Sequence, residues 1–115
     1  GHGVGFFLNV HEGPQSISRL NGVKIKEGMI LSNEPGFYKK NKFGIRIENL
    51  VYVKRLNRKL FFENLTLAPI EKDLINFNLL TKFEKNYLFK YHLNVYSKIS
   101  KYLNPNEKKW LASLI

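Results

Sequence analysis

The tightest constraint in this chain is the stretch 34–48, Glu-Pro-Gly-Phe-Tyr-Lys-Lys-Asn-Lys-Phe-Gly-Ile-Arg-Ile-Glu, which sets a carboxylate at each end of a segment built to fold back on itself. A residue ahead of proline is pushed toward extended geometry, so Glu34 closes a strand over roughly 29–34. Pro35-Gly36 suits the central pair of a type II turn, proline presetting φ at the first position and glycine accepting a positive φ at the second. From Gly44 the sequence alternates. Ile45, Ile47, Val51 and Val53 fall on one face of a strand, with Arg46 and Glu48 on the other. Two strands joined through residues 39–42 would bring Glu34 and Glu48 to one place, with Arg46 beside them. Spacing alone leaves two readings: a half-buried strand with its polar face in water, or a polar face lining a pocket where the two carboxylates bind cations.

Upstream, Gly1-His2-Gly3-Val4-Gly5 leads into residues 6–11, which read as a strand stopped by Glu12-Gly13-Pro14. The alternating glycines allow close backbone approach. They are not a dinucleotide fingerprint, which needs a third, helix-opening glycine and a later acidic residue. His2 and His11 stand nine apart, an odd spacing that sends them to opposite faces of a regular strand, so a bulge or turn is needed to aim both at one site.

Downstream, residues 15–28 read as an irregular loop, and 59–63 as a short strand after a basic hairpin turn at 54–59. The apolar segment 65–70 is expected to pack across the sheet edge. Thr81 and Glu84 form a capping box opening a helix with Phe83, Tyr87, Tyr91, Val95 and Ile99 at intervals of four, widened by Leu88 and Tyr102. His92 lies off that stripe and reads as structural. Asn104-Pro105 ends the helix and starts a second, with Pro105 at its first position, Glu107 at its third, and Trp110, Leu111 and Leu114 as its apolar side. The fold class is α+β, antiparallel strands followed by C-terminal helices.

Four ordered blocks go further: Gly-His-Gly-Val-Gly (1–5), Leu-Asn-Val-His-Glu-Gly-Pro (8–14), Gly-Met-Ile-Leu-Ser-Asn-Glu-Pro-Gly-Phe-Tyr (28–38) and Phe-Gly-Ile-Arg-Ile-Glu-Asn (43–49). Together they resemble the Xaa-Pro aminopeptidases (aminopeptidase P), metallopeptidases of the pita-bread (creatinase/aminopeptidase) fold shared with prolidase and methionine aminopeptidase. A fifth block, Leu-Thr-Leu-Ala-Pro-Ile (65–70) followed by Tyr91-His92, resembles the tail of the long aminopeptidase P form.

The resemblance implies the C-terminal half of a pita-bread fold. Residues 1–64 would be the second half of the catalytic domain, and 65–115 the helical extension of the long form. Two Asp ligands that precede the histidine in the family are not in this chain, and Asp73 cannot replace them, so the chain would be a fragment inactive alone. The complete enzyme would be a cytoplasmic, homodimeric hydrolase. It would release the N-terminal residue from peptides with proline second, through a hydroxide activated by two divalent ions, Mn²⁺ first, with Co²⁺ or Zn²⁺ as alternatives. His2, Glu34 and Glu48 would bind metal, with Glu48 bridging both ions. His11 would be catalytic, contacting substrate at the scissile bond, and Arg46 would hold the carboxylates in position. Such residue types suit the task, because carboxylate oxygens can each serve a different hard cation and imidazole adds a neutral ligand. The competing readings are a prolidase-like dipeptidase, a metal-free pita-bread relative (creatinase-like or peptide-binding), and a truncated product without activity.

Composition narrows the alternatives. With no cysteine there is no disulfide framework and no thiolate metal site, which fits a reducing compartment. Neither a leader nor an apolar run near 18 residues is visible, which argues against a membrane partner. The net charge of +10, from 19 Lys+Arg against 9 Asp+Glu, is dispersed over loops and helix surfaces, as a solvated face would be, with no nucleic-acid-binding motif.

Overall fold

The computed structural model describes residues 1–7, 9–20 and 22–115. They form two compact units, Gly1–Thr66 and Leu67–Ile115. The first holds six strands: β1 (Gly3–Val4), β2 (Ile30–Asn33), β3 (Gly36–Lys39), β4 (Phe43–Arg46), β5 (Asn49–Leu56) and β6 (Lys59–Asn64). A four-stranded sheet runs in the order β1-β2-β5-β6 and a separate two-stranded ribbon pairs β3 with β4, every pairing antiparallel.

One register runs through both. β2 and β5 pair from Ile30↔Tyr52 to Asn33↔Asn49, and β3 and β4 from Gly36↔Arg46 to Lys39↔Phe43. Counting onward from Asn33↔Asn49, position 34 falls opposite 48 and 35 opposite 47 before the ribbon begins. A bond from the Ile47 N–H to the Pro35 carbonyl, 3.2 Å long, keeps that alignment across the gap. The ladder breaks there because Pro35 has no N–H to return the bond.

This break corrects two sequence expectations. Glu48 lies between two strands rather than in the middle of one. Pro35-Gly36 makes no type II turn, since Gly36 lacks the positive φ that Gly28 has, and the chain runs on from β2 into β3. The break also divides the apolar face expected to be continuous. Val51 and Val53 are buried with Leu31, packed by Ile17, Ile25 and Met29, whereas Ile45 and Ile47 are exposed.

Turn chemistry fixes the hairpins. The β3–β4 tip takes Asn41 at φ 56°, a residue type that tolerates this region. Asn57 and Arg58 join β5 to β6 with φ of 48° and 66°, the pair of positive values a two-residue type I′ turn needs; the turn falls within the basic run, whose Lys54 and Arg55 belong to β5 and Lys59 to β6. The strand expected over 6–11 does not form: β1 ends at Val4 and the chain loops back, held by Glu12. Leu8 in that stretch, and Asn21 in the expected 15–28 loop, lie outside the described residues.

In the second unit, α1 (Lys82–Ile99) opens on the Thr81/Glu84 capping box and α2 (Pro105–Ala112) on the equivalent box of Asn104 and Glu107, with Pro105 at its start. The hydroxyl of Thr81 holds the Glu84 carboxyl below its ordinary pKa. The apolar segment divides: Leu65 and Thr66 bond along β5 at Leu50, while Ala68 and Ile70 are tied to α1. The Tyr91 hydroxyl donates to the Ala68 carbonyl at 2.7 Å, and buried His92 accepts the Ile70 N–H on Nε2 at 3.0 Å. Tyr91, Val95 and Leu111 form the core, packed by Ile70, Ile99 and Leu114 among others. Only part of the predicted stripe is used, because Phe83 and Tyr87, near the start of α1, are exposed, as is Trp110 on α2.

Val95→Ala should therefore destabilise this unit by about 2–3 kcal/mol, the transfer of two methyl groups plus the cavity left behind. Phe83→Ala, at a side chain 78 % exposed, should stay within about 0.5 kcal/mol. Denaturant unfolding of the two variants, followed by far-UV circular dichroism, checks the contrast.

Candidate functional site

The interrupted register decides what faces what. In an antiparallel pair, hydrogen-bonded and non-hydrogen-bonded levels alternate. The Ile47–Pro35 bond makes 35/47 a bonded level, so Glu34 and Glu48 share the non-bonded level next to it. At such levels the Cα atoms approach to about 4.5 Å and the side chains lie closest. Ser32, two residues before Glu34, points to the same face.

β1 brings in the imidazole. Its register with β2, Gly3↔Leu31, sets His2 opposite Ser32 one step further on. The Ser32 N–H donates to the His2 carbonyl and the His2 N–H to Ser32 Oγ, both at 2.8 Å. Buried Ser32 donates a hydrogen bond from its hydroxyl to Glu34 Oε1, 2.7 Å away. His2, Glu34 and Glu48 each offer one ligand atom, and these atoms lie within 4.8 Å of one another.

The electrostatics are unbalanced without a cation. Like charges directly opposite in a strand pair are unfavourable. Arg46 reaches both carboxylates, its Nη1 3.9 Å from Glu34 Oε2 and its Nε 3.5 Å from Glu48 Oε2. That is one guanidinium against two carboxylates. Nδ1 of His2 lies 2.9 Å from the Gly3 carbonyl, an acceptor, so this nitrogen carries the proton. In the neutral imidazole Nε2 then carries the lone pair, 3.8 Å from Glu34 Oε1. The Glu34 carboxyl is held below its ordinary pKa, first by the Ser32 hydroxyl; partial removal from water opposes this, and the Arg46 guanidinium reinforces it. Two carboxylates and an imidazole lone pair converging on one point are a donor set that fits a hard or borderline divalent ion.

His11 joins the group despite its odd spacing. The chain turns between β1 and His11, and the two imidazoles meet edge to face, centroids 4.6 Å apart at 81°. His11 is exposed and is not among the three converging ligand atoms. Sequence reasoning missed two residues. Ser32 could have been found, since period two sets it beside Glu34. Glu12, whose carboxylate folds back onto residues 7 and 9, leaves no such signal.

The likeness to known proteins agrees with this geometry. The model of metallopeptidase family M24 matches residues 1–55, and that of the C-terminal region of peptidase M24 matches 58–114. A probable Xaa-Pro aminopeptidase P of Laccaria bicolor is 44 % identical over 96 % of this chain and 19 % of its own length. Xaa-Pro aminopeptidase 1 of Dictyostelium discoideum is 44 % identical over 100 % of this chain and 20 % of its own. The crystal structure of an X-prolyl aminopeptidase from Caenorhabditis elegans, described as a cytosolic enzyme with a di-nuclear active site, superimposes with a TM-score of 0.85 at 40 % identity, covering 98 % of this chain and 20 % of that one. The chain thus spans about a fifth of the length of the curated relatives it matches. Matched almost end to end by two models of one family, and folded like a solved X-prolyl aminopeptidase, the chain belongs to metallopeptidase family M24.

Proposed function

We propose that this chain is part of a metalloaminopeptidase that removes the N-terminal residue from peptides with proline in second position. The observation that carries the reading is the convergence of His2, Glu34 and Glu48 within 4.8 Å, in a segment belonging to a metallopeptidase family. The substrate class follows from the Xaa-Pro aminopeptidase relatives. Residues 1–64 supply this part of the catalytic domain and 65–115 an extension. Two further carboxylate ligands come from outside the chain. The di-nuclear site and cytosolic description of the nematode enzyme support a pair of divalent ions, Mn²⁺ in our reading, and a cytoplasmic enzyme. A homodimer is the assembly we propose.

When bound, such an ion pair lowers the pKa of a coordinated water and polarises the scissile carbonyl. The chain's residues prepare for this. His2 contributes Nε2, its tautomer set by the Gly3 carbonyl. Glu34, one oxygen of which accepts a hydrogen bond from Ser32, would hold an ion. Glu48 has two oxygens to share between ions. Arg46 keeps both carboxylates turned inward and offsets part of their charge. His11, exposed at the edge of His2, donates a hydrogen bond to the substrate oxygen where negative charge develops.

Three outcomes test the reading. In a chain of the relatives' length carrying this segment, Glu48→Gln should abolish turnover, because a neutral amide cannot bridge two cations; normal activity and metal content would refute the assignment. In the same chain, His11→Ala should keep the metal and lower kcat on the order of 10²–10³-fold, the loss seen on removing one oxyanion donor. Metal loss in that variant would make His11 a ligand. Residues 1–115 alone should bind divalent metal weakly in calorimetry and cleave no Xaa-Pro peptide, since three ligands cannot hold the two-ion site. Tight binding of two ions with cleavage would overturn this.

A further inference from the structure

We infer that Glu12 is a positioning residue, whose carboxylate clamps the 5–12 loop and thereby holds His11 against His2. The inference rests on the reading of His11 as a substrate-contacting group, and names what sets its place. Nine residues of extended chain would carry His11 ~30 Å from His2, yet the two rings touch. Something must fold the chain between them.

Glu12 makes three ties across that loop. Its N–H donates to the Gly3 carbonyl at 3.0 Å, anchoring the loop's far end beside β1. Its Oε1 accepts the Phe7 N–H at 2.8 Å, and its Oε2 accepts the Asn9 N–H at 3.2 Å. Bonds to an ionised acceptor are the stronger class, and here each oxygen serves a different residue. Glutamine has only one acceptor oxygen at that fork, and aspartate is one methylene short.

Among the described residues of the loop, apolar packing does not do this work. Phe6, Phe7 and Val10 are 89 %, 79 % and 77 % exposed. Gly5 shows how tightly the clamp is fitted. A Cβ there would lie 2.4 Å from Glu12 Oε1 and 2.7 Å from its carboxyl carbon, so the carboxylate passes where any side chain at position 5 would sit. Gly5 has no positive φ, which leaves room for the clamp as the reason for glycine.

The test begins with the metal-free form of a chain of the relatives' length carrying this segment, by NMR. The wild type should show contacts between the His2 and His11 ring protons and slowed exchange at the Phe7 and Asn9 amides. Glu12→Ala should lose all of these, and Gly5→Ala should reproduce the loss by expelling the carboxylate. Glu12→Gln should retain one protected amide and weakened ring contacts. Methyl resonances of Leu31, Val51 and Val53 should stay put in each variant. Ring contacts that persist in both alanine variants would overturn the inference. If Glu12→Ala unfolds, Glu12→Gln decides, and unchanged ring contacts there overturn it.

A second readout separates positioning from mere loop structure. In a chain of the relatives' length, Glu12→Ala should lower kcat about 10–100-fold with KM and metal content near wild type, since a misplacement of an ångström costs that order of rate. Unchanged kcat, or lost metal, would overturn the positioning role. A wild-type enzyme without peptidase activity would instead refute the proposed function, and the spectra would still decide the clamp.

Discussion

Two carboxylates facing each other across one strand pair are the constraint around which the first unit is arranged. Left alone, Glu34 and Glu48 would repel, and a strand pair normally avoids that juxtaposition. Here the alignment is enforced from both ends. On one side Leu31, Val51 and Val53 bury the alternate face of β2 and β5, so a slip of one residue would turn that core out to water. On the other, the β3–β4 tip closes the ribbon in the same register. The pair is held in place by packing and turn chemistry at a distance, and its own neighbourhood supplies what partial relief it has: the Ser32 hydroxyl and the Arg46 guanidinium.

Much of this was legible in residue order. The alternation around Glu48, extended geometry before Pro35 and the turn at 39–42 were enough to bring both carboxylates and Arg46 together, and the block likeness to aminopeptidase P added the two histidines. The capping boxes at Thr81 and Asn104 were readable because each is a local arrangement of donors and acceptors within four residues. What escaped was non-local. Whether Pro35-Gly36 turns or runs straight depends on whether residues 36–39 find a partner, and β4 provides one. The same pairing ends the long strand expected from Gly44, because β4 belongs to the ribbon and β5 to the sheet. The 6–11 segment has a strand's composition, yet the chain loops back there, with the Phe7 and Asn9 N–H groups donating to the Glu12 carboxylate.

The second unit shows the complementary case. Its helices begin where their caps dictate, but which parts of the aromatic stripe are buried is decided by the segment around 68–70, bonded to Tyr91 and His92. Burial then concentrates from Tyr91 onward and leaves Phe83 and Tyr87 in water. Periodicity marks which side chains could be buried; the length of the covering segment selects among them.

The single register through the sheet and the ribbon also governs how this segment can vary in length. Residues added or removed in matched pairs, one on β3 and one on β4, lengthen or shorten the ribbon and leave Glu34 opposite Glu48, as do changes confined to the tip around Asn41. An unmatched insertion within either strand must be absorbed as a bulge before the break at Pro35, or it moves one carboxylate to the opposite face. Between Asn33 and Gly36, and between Arg46 and Asn49, there are only two residues on each side in which to absorb it. Length drift can therefore collect at the ribbon's tip, while the four positions at the break are held to a fixed count.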